Sequence, residues 1–425
     1  MSGAKPKLLV VGAPGYRRGG NLRCLRSIKE YSKFFDVYLI TPLNHLPELL
    51  KEKILEKLTS YNVRLVGYFH NSLITRVPPL ENFITNYVVP SIFPEVYSIH
   101  LFKEYKFDAV FVEHENLDYV ISGAMLSQER EIPSGILLQN PPFLGDARRV
   151  RNLLRAHLLW RAMTADTFAE SLLNKAKIAY RVLTWNRLIR HFYDSLLKRY
   201  NLIIGVSKAT IIEMGSNYLS RSRYRFLDPG VALDEEDAAY ISRVREGHSE
   251  KKPLIVFKGG LSVEKGLLDA LLAFKLILRE ENVKLYVPGT SHPTIMEKTR
   301  KICRKLDIDN QVVFTGFLDR LDLFRITAEA KLVLHPSHMD AFSYAVAESL
   351  SLGTPVVAYN IPAMRIYFGG LKGVFIVEEG DIDALAGESV RVLEEPRVEV
   401  EAPKLKTWEE IMREEINLIK SLLQS

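Results

Sequence analysis

Two carboxylates stand out in the stretch His335 to Ala358, HPSHMDAFSYAVAESLSLGTPVVA. Glu348 is the lone acid in a run of small and apolar residues, and Asp340 lies eight positions before it. If a helix starts near Ser343, the residues one turn from Glu348 are Tyr344, Ala345, Ser351 and Leu352. The acid then does not sit on an ordinary charged solvent face. An unpaired buried carboxylate is costly, so Glu348 is expected to have a partner or to face a cleft.

A second group of residues suits anion chemistry. Lys258 to Gly266, KGGLSVEKG, joins an apolar strand to a helix, with Ser262 as the expected N-cap and Lys265 in the first turn. A cation there opposes the helix dipole, and a bound anion removes the conflict. Free N–H groups, Lys258, Lys265 and the Gly259-Gly260 turn would converge on a diphosphate. The plain alternative is a solvated lysine. Near the N-terminus, Gly12-Ala13-Pro14-Gly15 ends a strand, and Tyr16-Arg17-Arg18-Gly19-Gly20 leads into a helix. The G-x-G-x-x-G spacing of a dinucleotide loop is missing. Arg17 and Arg18 read either as contacts to an acceptor phosphate or as exposed loop arginines. His114 and Gln139 each follow a strand end, although lone histidines are more often incidental.

The elements that must position these residues follow an alternating rhythm. Strand-like runs at Leu8–Val11, Val37–Ile40, Val63–Val66, Ala109–Val112, Gly135–Leu138 and Leu202–Val206 alternate with helical periodicity, which implies a parallel, doubly wound sheet. The rhythm restarts at Leu254–Phe257 and continues through Lys284–Val287, Val312–Phe314, Lys331–Leu334, Pro355–Ala358 and Val374–Val377. In such sheets ligands bind at the carboxyl ends of strands. Residues 236–252 are polar and charged, as a linker with a helical turn would be. After the Pro403 break, Trp408 to Leu423 reads as a helix with an apolar stripe at Ile411, Ile416, Ile419 and Leu422.

Pro336-Ser337, Asp340, Glu348 and Gly353-Thr354-Pro355-Val356 together resemble the signature of retaining GT-B glycosyltransferases of the family 4 type. Leu261, Lys265 and Gly266 match that family's phosphate loop, whereas Gly260 stands where the family has an arginine. Gly19 and Gly20 match its N-terminal glycine loop. The resemblance implies an α/β GT-B fold, two Rossmann-like doubly wound domains facing a cleft. The expected organisation is an acceptor-binding domain at 1–235 with a basic helical insert at 143–200, a linker at 236–252, a nucleotide-sugar domain at 253–402, and a helix at 403–425 crossing back to the first domain.

By the same resemblance, Lys265 neutralises the leaving diphosphate, Asp340 binds a sugar hydroxyl, and Glu348 accepts hydrogen bonds from the nucleotide ribose. The N–H groups of Ala341, Phe342 and Ser343 hold donor oxygens, with Gly19, Gly20, Lys258, Gly259 and Gly260 completing the donor site. Arg17, Arg18, His114 and Gln139 fall on the acceptor side. The implied reaction moves a sugar from a nucleotide-sugar donor with retention and without a metal or cofactor. A catalytically silent subunit that binds glycan or nucleotide is the rival reading, motivated by Gly260.

A chain of 425 residues with 47% hydrophobic content has room for two or three cores. Cys24 and Cys303 form no metal-ligand or disulfide pattern, and no leader or long apolar run is evident. The expectation is a cytoplasmic protein, free or peripheral on the cytoplasmic face of a membrane. The net charge is +6, yet residues 143–200 hold 12 Lys or Arg against 4 Asp or Glu, interleaved with Trp160, Trp185 and Phe192. Basic helical segments of this kind suit anionic bilayers better than nucleic acid, the alternative being a packed helical pair with solvated charges. The expected acceptor is therefore a lipid-linked or polyprenol-linked glycan.

Overall fold

The apolar runs assemble into two sheets of strands that are mostly parallel. The computed structural model describes residues 4–16, 19–71, 97–165, 167, 189–233, 235–247 and 250–424. Arg17, Arg18 and a large part of the 143–200 segment lie outside the described residues. The first sheet has the order β4-β3-β2-β1-β5-β6-β7-β8. Its strands are β1 (Lys7–Val11), β2 (Asp36–Pro42), β3 (Arg64–Asn71), β4 (Tyr97–Leu101), β5 (Ala109–Val112), β6 (Ser134–Leu138), β7 (Leu202–Gly205) and β8 (Tyr224–Phe226). The second has the order β11-β10-β9-β12-β13-β14. These are β9 (Lys252–Phe257), β10 (Lys284–Pro288), β11 (Val312–Gly316), β12 (Ala330–His335), β13 (Val356–Tyr359) and β14 (Val374–Val377). Their central strands are buried on both faces, which is why they read as unbroken apolar runs.

Two edge strands escape that signal. The β4 strand, YSIHL, pairs antiparallel with β3, and the three residues of β8 carry Arg225 between Tyr224 and Phe226. Neither position demands an apolar run, because an edge strand buries less of its surface.

One compact unit comprises 1–143, 187–230 and 408–425, and the other 144–186 and 231–407. This division corrects two expectations. The described helix Ala147–Thr164 falls in the unit of the second sheet, whereas the expectation put the basic segment in the first. The linker is a helix, Glu235–Gly247, whose Ile241 and Val244 pack with Phe324, Ala328 and Leu352. Its polar surface disguised an amphipathic helix with a narrow apolar edge.

The helix Trp408–Leu422 belongs to the first unit and buries Ile411, Ile416, Ile419 and Leu422. It also buries Glu415 completely. Arg23 on the helix Gly19–Tyr31 meets Glu415 at 2.6 Å. The Tyr31 hydroxyl touches Glu113 Oε1 at 2.5 Å and also hydrogen-bonds Glu415 Oε1. One phenolic hydrogen cannot serve two ionised carboxylates. Burial, reinforced by the Glu415 charge, pushes Glu113 above the usual carboxylate range, which makes it the proton carrier. The network holds the helix that follows the glycine loop at Arg23 and at its last residue, Tyr31.

Candidate functional site

In both sheets the residues singled out by type cluster where the strand order reverses. In the second sheet β9 lies between β10 and β12, and the loops after β9 and β12 carry Lys258–Gly266 and Pro336–Ser343. This is the position where open α/β sheets bind ligands.

The helix Tyr344–Ser351 begins at Ser343, whose hydroxyl accepts the N–H of Val346 at 3.3 Å. Glu348 is buried in it, at 4% exposure, and has two cationic partners. Lys258 Nζ lies 2.6 Å from Oε2, and Arg320 Nη2 lies 2.9 Å from Oε1. Burial would raise the Glu348 pKa, but Lys258 and Arg320 overcome it and hold the carboxyl below its ordinary value. Arg320 also forks onto Asp237, with Nε 2.8 Å from Oδ1. Lys258 is itself buried, so its charge is committed to Glu348 and it is not a free hand for phosphate.

Asp340 sits in a second ion-paired group. Its carboxylate pairs with Lys265 and lies 2.9 Å from His335 Nε2. Burial opposes ionisation here too, yet Lys265 and His335 hold the acid well below the usual range. Lys265 Nζ also donates to Met339 O at 2.9 Å. An ammonium has three N–H donors, and these two contacts leave one for an incoming oxygen. Lys265 is 32% exposed, the only one of the Lys258, Lys265, Asp340 and Glu348 set with substantial solvent access. His335 links the two groups, since Nδ1 lies 3.4 Å from the Lys258 carbonyl and Nε2 lies 3.0 Å from Ser343 Oγ.

The loop before Lys265 differs from expectation. The helix starts at Leu267, with Gly266 as N-cap, so Ser262 is not a cap and Lys265 is not in the first turn. Gly266 has φ +74, and a Cβ there would stand 1.9 Å from the Pro336 carbonyl oxygen. Only glycine lets the β9 and β12 loops approach so closely. Gly259 and Gly260 lie along the Lys265 stem, where a Cβ at either would be 3.7 Å from it. Ala341 and Phe342 are buried between Asp340 and the Ser343 cap, with Phe342 packed against Tyr367 at 5.3 Å and Phe368 at 5.2 Å.

In the first unit, Gly20, His114 and Gln139 come together after β1, β5 and β6. Gln139 Nε2 donates to Gly20 O at 3.3 Å and to Glu113 O at 2.6 Å. A Cβ on Gly20 would meet Gln139 Oε1 at 2.9 Å and His114 Nε2 at 3.4 Å. His114 Nδ1 accepts the Asn116 N–H at 3.1 Å, which leaves Nε2 to carry the hydrogen of the neutral ring. Gln139 Nε2 thus ties the Gly20 backbone to the residue that follows β5.

Sequence reasoning missed Arg320, Asp237 and His335. Two had a faint signal: Arg320 follows Asp319, which caps its helix, and His335 ends an apolar strand. Their convergence on Glu348 and Asp340 has no local signature. Among the described residues no cluster of His, Cys, Asp and Glu has metal-holding geometry.

Residues 241–414 match the family model described as glycosyl transferases group 1. An uncharacterized glycosyltransferase of Methanocaldococcus jannaschii, MJ1607, is 25% identical over 187 residues, 42% of this chain and 47% of that protein. The lipopolysaccharide glucosyltransferase WaaG of Escherichia coli is 29% identical over 166 residues, 37% of this chain and 43% of that protein. The aligned region thus spans less than half the length of these curated relatives. Among solved structures, sucrose-phosphate synthase of Thermosynechococcus elongatus superposes with a TM-score of 0.64 at 15% identity, covering 99% of this chain and 100% of the other. The fold is GT-B, with two Rossmann-like units.

Proposed function

We propose that this protein is a glycosyltransferase that moves a sugar from a nucleotide-sugar donor to an acceptor with retention of configuration, as family 4 members do. The observation that carries the reading is the pair of linked ion-pair groups at the β9 and β12 ends, Lys265 with Asp340 and Lys258 with Glu348. The match of residues 241–414 to group 1 glycosyl transferases covers both groups.

The chemistry assigned to these residues is positioning plus electrostatic stabilisation. Lys265 offers its remaining N–H donor and its charge to the leaving diphosphate, so departure requires neither a metal nor a cofactor. Asp340, ionised by its neighbours, accepts a hydrogen bond from a sugar hydroxyl. Glu348, held by Lys258 and Arg320, has lone pairs left for the ribose hydroxyls. The N–H groups of Ala341, Phe342 and Ser343 face donor oxygens. In the first unit, Gly19 and Gly20 let backbone approach the donor, while Arg17, Arg18, His114 and Gln139 serve the acceptor. The acceptor's nucleophilic oxygen attacks from the face that the diphosphate leaves, and a departing phosphate oxygen takes its proton.

A lipid-linked acceptor on an anionic membrane surface remains part of the proposal. Its support is the exposed cations Arg151, Arg155, Lys198 and Arg199 and the lipopolysaccharide named for one relative. Arg149 does not contribute, because it is buried. Among the described residues no helix is long and apolar enough to cross a membrane, and peripheral attachment on the cytoplasmic face is the proposed location. Co-sedimentation with anionic vesicles but not neutral ones is expected; equal binding to both removes this part.

The donor reading is tested by thermal shift with UDP, GDP, ADP and their sugars, without metal, on wild type and Lys265→Ala. One nucleotide series is expected to stabilise the wild type and to lose that effect in the variant. Stabilisation by none of them refutes the donor assignment.

A further inference from the structure

The helix Ala147–Thr164 precedes the matched segment 241–414, yet it ties down the loops that carry Lys265 and Asp340. Asp146 caps it by accepting the Arg148 N–H at 2.6 Å. Arg149, on the first turn, is 7% exposed. Its Nη1 lies 2.5 Å from Glu379 Oε2, and its Nη2 donates to the His338 carbonyl oxygen at 2.5 Å. The His338 ring is held between two carboxylates, with Nδ1 2.8 Å from Glu379 Oε1 and Nε2 2.7 Å from Asp269 Oδ2. Asn152, one turn after Arg149, donates to Glu379 Oε2 at 2.8 Å. Two cations and two carboxylates close a buried network with no net charge. Burial works against the His338 charge, but Asp269 and Glu379 raise the pKa to about 9.

Two turns further along the same helix, His157 Nε2 lies 3.3 Å from Glu264 Oε1. Glu264 immediately precedes Lys265, and its carbonyl accepts the His338 N–H at 2.8 Å. The segment from Pro336 to Ser343 has no regular secondary structure. It is held from one side by Glu264 and Lys265 and from the other by Arg149. A catalytic constellation tolerates displacements of only about 0.5 Å, so a loop of this kind requires such ties.

We propose that the helix Ala147–Thr164 is a brace, with Arg149 and His157 as positioning residues that set Lys265 and Asp340 for the donor diphosphate. The inference rests on the donor reading above. It assigns the helix a role in selecting diphosphate over the bare nucleoside, distinct from any membrane contact made by its exposed cations.

The test compares matched ligand pairs, UDP with uridine, GDP with guanosine and ADP with adenosine, by calorimetric titration of the full chain. The variants are Arg149→Gln combined with Glu379→Gln, which keeps the buried charge balanced through His338 and Asp269, and His157→Ala at a half-buried position. The preference for diphosphate over nucleoside is expected to fall about tenfold in the double variant, less in His157→Ala, with nucleoside affinity unchanged. A parallel loss for both ligands means general loosening and overturns the brace. Wild-type preference retained in the double variant while Lys265→Ala abolishes it also overturns the brace, leaving the donor site standing. A wild type that does not prefer diphosphate refutes the donor reading and the brace with it. Should the double variant fail to fold, His157→Ala decides by the same criteria.

Discussion

Replacing Lys258 by Met tests the central pair of the site. Met fills a similar volume but leaves Glu348, 5% exposed by its side chain, with Arg320 as its remaining partner. Breaking a buried ion pair by removing one member costs about 3–5 kcal/mol. Arg320 is 47% exposed and divided between Asp237 and Glu348, so it compensates only in part, and the expected loss is about 3 kcal/mol. The assay is urea unfolding followed by the fluorescence of Trp160, which is buried in the same unit. The double variant Lys258→Met with Glu348→Gln removes the orphaned charge and is expected to recover much of the loss.

The pH dependence has a defined sign. The folded Glu348 pKa is depressed, so its contribution is present above the unfolded value of about 4.3 and is lost as pH falls through the folded value. Lys258→Met reduces that contribution to what Arg320 supplies, and the gap between wild type and variant is widest near neutral pH and narrows in acid. A loss below about 1 kcal/mol, the range of an exposed pair, or a double-mutant cycle with no coupling refutes the reasoning.

Gly266→Ala forces a Cβ into the Pro336 carbonyl oxygen at a positive φ, and a loss of at least about 1–3 kcal/mol is expected by chemical denaturation. A Cβ at Gly260 would meet nothing closer than the Lys265 side chain at 3.7 Å; for Gly260→Arg, stability within about 0.5 kcal/mol of wild type and tighter nucleoside diphosphate binding by calorimetry are expected. His338 has its pKa raised to about 9 by Asp269 and Glu379 against the effect of burial. Its stabilisation is fully present below about 6.5 and is lost as pH rises through about 9, by about 3 kcal/mol at most. Denaturant midpoints across that window should decline in wild type and stay flatter in His338→Gln.

Burial on both faces made the central strands legible, because it demands continuous apolar runs such as Leu8 to Val11 and Leu332 to Leu334. The edge strands β4 and β8 are under no such demand, and the helix Glu235–Gly247 buries too narrow a stripe to separate it from a linker. Glu348 was legible as an acid needing a partner because its neighbours within one helical turn are local in sequence.

Sequence alone therefore determined the two α/β units, the loops that carry Lys265 and Asp340, and the demand that Glu348 be paired. Tertiary structure decided the partners. Arg320 lies 28 residues from Glu348, and Arg149 lies 189 from His338. Which cation meets which carboxylate depends on how strands order within a sheet and how loops pack at their ends. Coulomb attraction rises as two charges approach, so the ion pairs that count are those at contact, and the chain's linear spacing holds no record of which distant groups will come that close.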